Sequence, residues 1–344
     1  PDAMIGPTFL VAVGAALPPL LQTSRAAVVR GCCAVAAGAL GSGVGGHLGL
    51  RPAWAATASE LNSRLDDKAA MKIFKAGLEL AAQGADPESQ TRDLERLRKA
   101  EDRFTLLVDE LAPNFAGGYA NRANVRVAIG GDEALRGALE DYSKALELAP
   151  EGKDAWVNRL NRGSTLVGLG MPEEALADLD MAVALSKKDI LATLARGAAY
   201  HALGRWSAAA MDYGAAIAKN PADVQPFWLR YALESFQLDR RTEALGIGRR
   251  TANKFDLEPE CVLALCAMLA ASPLPADRDE AARRWGAAPA PVRMAAADFL
   301  RSPSFGTRQW PPAVVAAAEA FLAAPPASAQ LAPAAAATPL LGAG

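Results

Sequence analysis

Histidine is almost missing from this chain. Of 344 residues only His47 and His201 are histidine, and only His201 lies beyond residue 55. Neither a histidine-rich metal site nor a Ser-His-Asp arrangement can therefore be assembled, and no cofactor is expected. Cysteine is scarce too. Cys261 and Cys266 stand five residues apart on a predicted helix and point to different faces, which argues against a disulfide or a CxxC site and leaves buried free thiols. Cys32 follows Gly31 as a lipid-attachment cysteine would, but Arg30 occupies the place of the small residue that such a site needs. Aromatic residues make up 6% of the chain and no segment shows sustained β-branched alternation. A sheet protein is disfavoured, and an all-helical one rich in Ala, Leu and Glu is expected. An excess of one charge is also lacking. The formal net charge is −2, and with Asp2, Arg25, Arg30 and Arg51 set aside the remainder carries 33 cations against 37 acids. No basic stripe interleaves with aromatics, so the electrostatic footprint of a nucleic-acid partner is absent.

What the chain does have is self-similarity. Gly163, Gly170, Ala175, Leu179 and Ala182 return 34 residues later as Gly197, Gly204, Ala209, Tyr213 and Ala216. Upstream, Ala123, Gly130, Ala138, Tyr142, Ala145 and Pro150 repeat the pattern with about three residues inserted around Gly131-Asp132-Glu133. A fixed period of this length signals stacked helix-turn-helix units, with small residues where the two helices of a unit approach closely. Arginine and aspartate follow the same period. Arg162 and Arg196 are each followed 16 residues later by Asp178 and Asp212, and Arg122 is followed by Asp141 after 19, which is 16 plus the insertion. That offset sets a guanidinium of the first helix opposite a carboxylate of the second, and an intra-unit tie is favoured over phosphate binding. Arg230 has Gly246 at the matching place and marks the end of the regular array.

The segment ARGAAYHALGRWSAAAMDYGAAIAKNP, with Gly197, Tyr200, Gly204, Trp206, Ala209, Tyr213, Ala216 and Pro221 on pattern, resembles the tetratricopeptide repeat family. The match departs at the usual Leu, which is Arg122, Arg162 and Arg196, and at the usual Trp, which is Tyr119, Arg159 and Thr193. The resemblance covers roughly residues 61–256. It implies an all-α right-handed solenoid of helix-turn-helix repeats and a non-catalytic role in binding another protein. Well-formed repeats are expected at about 114–150, 151–188 and 189–221, with degenerate ones at 61–113 and 222–256. In such arrays the first helices line the concave groove. The groove positions map onto Ala120, Asn124 and Val127, then Leu160, Ser164 and Val167, then Leu191, Leu194, Ala198 and His201, and finally Trp228. Asn121 and Asn161 flank it and would bond a peptide backbone. Only Asn124 matches the Lys, Asn and Arg of a carboxylate clamp, so an amphipathic or hydrophobic segment is the expected ligand.

The first 55 residues belong to another regime. Apart from Asp2 they carry no acid, and apolar stretches at Ala3–Leu21 and Gly31–Leu50 flank the arginine-bearing QTSRAAVVR. Ala53-Trp54-Ala55 offers the small residues a signal peptidase reads, so the mature protein is expected to begin near Ala56. A plastid or thylakoid presequence, an uncleaved membrane anchor through residues 3–50 and a bacterial secretory signal all stand. The first leads to a chloroplast location, thylakoid lumen or membrane, and an assembly or maintenance factor for a photosynthetic membrane complex; the bacterial periplasm is the alternative. Gly41-Ser42-Gly43-Val44-Gly45-Gly46 matches a nucleotide loop but follows no strand, and Gly130-Gly131-Asp132-Glu133 reads as a turn with a capping aspartate.

Beyond Phe255, apolar helical runs at 258–271, 278–287, 291–300 and 312–322 predict a C-terminal helical extension over 257–322. An uncharged Ala/Pro stretch over 323–344 predicts a disordered tail. If residues 290–322 fill the groove, a regulatory or structural subunit of an enzyme complex becomes the competing expectation.

Overall fold

The computed structural model describes residues 68–85, 93–187, 189–301 and 309–324. The presequence reading at residues 1–55 lies outside them, as does all of the tail expected at 323–344 beyond Ala324; Ala323 itself ends a helix rather than opening a disordered tail. Among the described residues the fold is all-α, and no helix is long and apolar enough to cross a membrane. Two compact units divide between Phe227 and Trp228.

The first unit holds α1 (Lys68–Gly84), α2 (Leu94–Leu106), α3 (Ala116–Ile129), α4 (Asp132–Leu148), α5 (Ala155–Gly168), α6 (Pro172–Leu185), α7 (Ile190–Ala202) and α8 (Trp206–Lys219). A π-helical turn, Leu107–Leu111, continues α2 and closes with an Ala112 N–H to Leu107 carbonyl bond of 2.7 Å. Helices pack in consecutive pairs, α1/α2, α3/α4, α5/α6 and α7/α8. Each first helix also touches the first helix of the neighbouring pair, α1 with α3, α3 with α5 and α5 with α7. That second contact is what makes a solenoid rather than a row of separate hairpins.

The repeating small residues mark the axis of each pair. A Cβ added at Gly163 would stand 2.7 Å from Leu179 Cγ and 3.2 Å from the Ala175 carbonyl oxygen, so α5 and α6 approach as closely as they do only because the side chain is missing. In the first pair Gly77 of α1 meets the Phe104 ring of α2 in the same way, at 2.8 Å. The pair α1/α2, which falls within the span expected to hold a degenerate repeat, is thus joined by the same kind of close contact.

The turns inside the pairs fall at Gly130, Gly170 and Gly204, all with positive φ. After α5 the Met171 N–H reaches the Leu166 carbonyl and the Gly170 N–H reaches that of Val167; after α7, Arg205 bonds Tyr200 and Gly204 bonds His201. These are paired helix-end bonds that satisfy the last carbonyls and need a left-handed residue between them. Proline opens α6 at Pro172, where its missing N–H costs nothing. Asp189 opens α7 by accepting the Leu191 N–H at 2.7 Å.

The second unit holds α9 (Trp228–Gln237), α10 (Arg241–Lys254), α11 (Pro259–Ala270), α12 (Pro275–Ala287), α13 (Ala290–Phe299) and α14 (Pro312–Ala323). Helix pairing persists here through α9/α10 and α11/α12. The turn after α9 repeats the earlier one bond for bond, Arg240 to Ser235 and Asp239 to Phe236, with Asp239 at φ 58 where the earlier turns have glycine. The core of this unit is α11, in which every residue from Glu260 to Leu269 is buried. It packs against α9, α10, α12, α13 and α14. A helix apolar on all sides is stable only when so enclosed.

Candidate functional site

The arginine and aspartate series is a set of forked ion pairs. Arg122 donates Nε–H to Asp141 Oδ2 at 2.9 Å and Nη2–H to Oδ1 at 2.8 Å. Arg162 grips Asp178 at 2.6 and 2.7 Å, and Arg196 grips Asp212 at 2.8 and 2.7 Å. All three aspartates are buried, so the two parallel bonds replace the water that each carboxylate loses. The remaining Nη1 of each arginine points backward to the preceding pair. It reaches Ser143 Oγ of α4 from Arg162, at 3.0 Å, and Asp180 Oδ1 of α6 from Arg196, at 2.9 Å. Ser143 and Asp180 each stand two residues after the aspartate of their own helix. Arg122 does the same toward Asp109 and Thr105, at 3.3 and 3.4 Å. One guanidinium therefore ties its own hairpin and staples that hairpin to the one before.

Spacing alone did not reveal the staple, because it depends on how pairs stack. It also did not reveal Arg126, which adds a second guanidinium to Asp141 at 2.8 Å while holding Glu101 of α2 at 2.7 Å. The Arg196 guanidinium is held well above its ordinary range, chiefly by the bond to Asp212, against the opposing effect of burial. Arg230, which lacks its aspartate, turns instead to Glu260 of α11 at 3.3 Å.

The mapped groove positions fare differently. Leu160, Val167 and Leu191 lie in one apolar core with Ala175, Leu179 and Ala199, joining α5, α6 and α7. Leu194 is fully buried, and Ala120, Ser164 and Ala198 are buried. His201 is buried with its ring edge-on to Trp206, centroids 5.4 Å apart. Asn121 is buried and donates its amide to the Gly117 carbonyl of its own helix at 2.7 Å. Trp228 belongs to the second unit, where it is buried with the Arg250 guanidinium 4.4 Å from its ring centre.

Three positions keep solvent contact: Asn124, Val127 and Asn161. They belong together. Asn161 Nδ2 of α5 donates to Asn124 Oδ1 of α3 at 3.1 Å, and the Tyr142 hydroxyl of α4 donates to the same oxygen at 2.7 Å. The exposed large apolar side chains of this unit, Leu94, Met181, Leu185 and Met211, sit on the second helices α2, α6 and α8.

Cys261 and Cys266 of α11 are buried and form no disulfide. Burial pushes the Cys266 thiol up to about 12, which leaves it protonated and unreactive.

No protein-family model matches the chain. Over 103 residues it is 35% identical to the DnaJ homolog subfamily C member 7 homolog of Schizosaccharomyces pombe, a stretch covering 30% of this chain and 21% of that protein. The chain thus spans about a fifth of the length of that relative. Among solved structures it is similar to PilW, a widely conserved type IV pilus biogenesis factor, with 16% identity, 68% of this chain and 93% of that chain covered, and a TM-score of 0.47. It is similar also to the APC/C hetero-tetramer Cut9-Hcn1 (14%, 79% and 48%, 0.48) and to YrrB, a TPR protein with an unusual peptide-binding site (20%, 58% and 91%, 0.43). The consecutive helix pairs, their turns and the small-residue contacts of this chain make its fold that of tetratricopeptide-type repeats.

Proposed function

We propose that this stack of tetratricopeptide-type helix pairs is a non-catalytic adaptor holding a segment of a protein partner against the first helices of residues 116–202. The observation that carries the reading is the Asn161–Asn124 bond between neighbouring first helices, with both amides and Val127 still reached by solvent. The nearby arginines Arg122, Arg126, Arg162 and Arg196 are already tied to carboxylates. A segment laid there is held by amide hydrogen bonds and apolar contact rather than by ion pairs.

The test is a photo-crosslinking residue placed at Asn161 in the full chain, compared with one at Met211 on α8. Protein adducts from Asn161, persisting as salt rises from about 0.05 to about 0.5 M, support the reading. Adducts from Met211 alone, or their loss at moderate salt, overturn it. Leu194→Asp is unsuitable as a probe, because a carboxylate at a fully buried leucine tests folding instead.

For the compartment, the acid-poor residues 1–55 support a plastid, in the thylakoid lumen or at its membrane, and with it a part in assembling or maintaining a photosynthetic complex. Export to a bacterial periplasm is the alternative. N-terminal sequencing of the mature protein separates these from anchoring: a start near Ala56 supports cleavage, and retention of residues 1–50 supports a membrane anchor.

A further inference from the structure

Within the second unit, α14 lies across α9 and α11, the first helices of the consecutive pairs α9/α10 and α11/α12. Three features set α14 apart from the core beneath it. It is one-sided: Val314, Ala317, Ala318 and Phe321 are buried, whereas Ala316, Glu319, Ala320 and Ala323 are exposed. Its start is organised from outside. Pro311 at the N-cap offers no side-chain acceptor, and the Ala313 N–H is taken instead by Gln237 Oε1 of α9 at 2.8 Å. Finally, it is led in by an aromatic anchor. Trp310 is buried with its ring 5.3 Å from that of Phe299, and its indole N–H donates to Glu260 Oε1 of α11 at 3.0 Å.

Anchors at Trp310, then four, seven, eight and eleven residues on, are the spacing by which a helix lays one face into a groove. At the far end Phe321 stands edge-on to Trp285, centroids 5.1 Å apart. The opposite face of α14 carries Pro312, three alanines and Glu319. By contrast α11 is buried on every side, as a core helix must be.

We propose that the wall of α9 and α11 is a helix-receiving groove and that α14 occupies it as a built-in ligand. A partner helix of the same chemistry takes the seat when α14 leaves: an indole ahead of a proline start, a β-branched residue four on, small residues at seven and eight, an aromatic at eleven. Gln237 and Glu260 read the two polar features of such a helix, its first free amide and its indole N–H. This groove is separate from the Asn124–Asn161 face, so either reading stands or falls alone.

A fluorescent peptide of residues 309–324 is titrated into the full chain, wild type and Val314→Asp, with hydrogen exchange followed in parallel. In the variant the resident helix is expelled by the cost of seating a carboxylate where Val314 is fully buried. The expected result is fast exchange confined to α14, continued protection of α9 to α12, and peptide binding at least about 30-fold tighter than to wild type, whose groove is closed. Adding Gln237→Ala or Glu260→Gln to the variant should weaken the peptide again. Should Val314→Asp not fold, Phe321→Ala serves as the milder release. Loss of protection across α9 to α12 in both variants makes α14 part of the core and overturns the proposal. Release of α14 without peptide binding overturns it equally.

Discussion

Asp239 holds a φ of 58 in a turn that Gly170 and Gly204 make at 78 and 67. The bonding around all three is the same, so the difference between them is the cost of a side chain in the left-handed region. Around Gly170 nothing lies within 4 Å of an added Cβ, and Gly170→Ala should therefore lose about 1 kcal/mol through backbone strain alone. Asp239→Gly should gain about 0.5 kcal/mol, the relief of strain less the extra freedom of glycine in the unfolded chain. Its bond to Arg241 is exposed and contributes little. Urea midpoints at unchanged slope check both. The glycine turns were legible because only glycine adopts that conformation readily, and the Arg–Asp ties were legible because both partners ride one period. Asp239 carries no such mark, and the sequence pattern puts the end of the regular array at the fifth pair, α9/α10, whose turn it makes. The burial of Leu194 and Trp228 was equally hidden, since a position on a helix face says nothing of what packs over it.

Among the elements, α10 and α12, the second helices of consecutive pairs, are joined by charge. Arg249 donates to Glu280 at 2.9 Å and to Asp277 at 2.7 Å, and Arg284 of α12 itself reaches Glu280 at 2.7 Å. The bond to Arg249, aided by Arg284, holds the Glu280 carboxyl below its ordinary value near 4.5 against the opposing effect of burial. A carboxyl depressed in the folded state binds its proton more readily when unfolded. Its contribution is therefore full above about pH 4.5 and is lost as pH falls through the lower folded value. Wild type should be more stable than Glu280→Gln at pH 7, and the gap should narrow as pH falls below about 4.5. Paired urea melts across that range provide the measurement, and a gap independent of pH would remove Glu280 from the account. None of this was visible beforehand, because Arg249 and Glu280 share no repeat offset with the earlier ties.

At the scale of the whole molecule the two units obey different rules of connection. In the first, each pair packs chiefly on its neighbours, and the guanidinium staples run from one pair to the one before. In the second, α9, α10, α12, α13 and α14 all pack on α11. A nearest-neighbour stack confines damage, whereas a hub spreads it. Arg196→Leu strands the buried Asp212 and should cost roughly 1–3 kcal/mol, the lower part of the range if water reaches the partly exposed site. Its loss of hydrogen-exchange protection should fall on α6, α7 and α8, because Arg196 reaches Asp180 and Asp212, and leave α1 to α4 unchanged. Leu263→Ala removes a fully buried side chain from the hub and should cost about 2–5 kcal/mol, lowering protection in α9, α10, α12 and α13 together. Residue-resolved exchange on the two variants distinguishes the regimes. Uniform loss from Arg196→Leu would mean that the first unit unfolds as one block despite its stacked contacts, and loss restricted to α11 would mean that the second unit is held by more than its central helix.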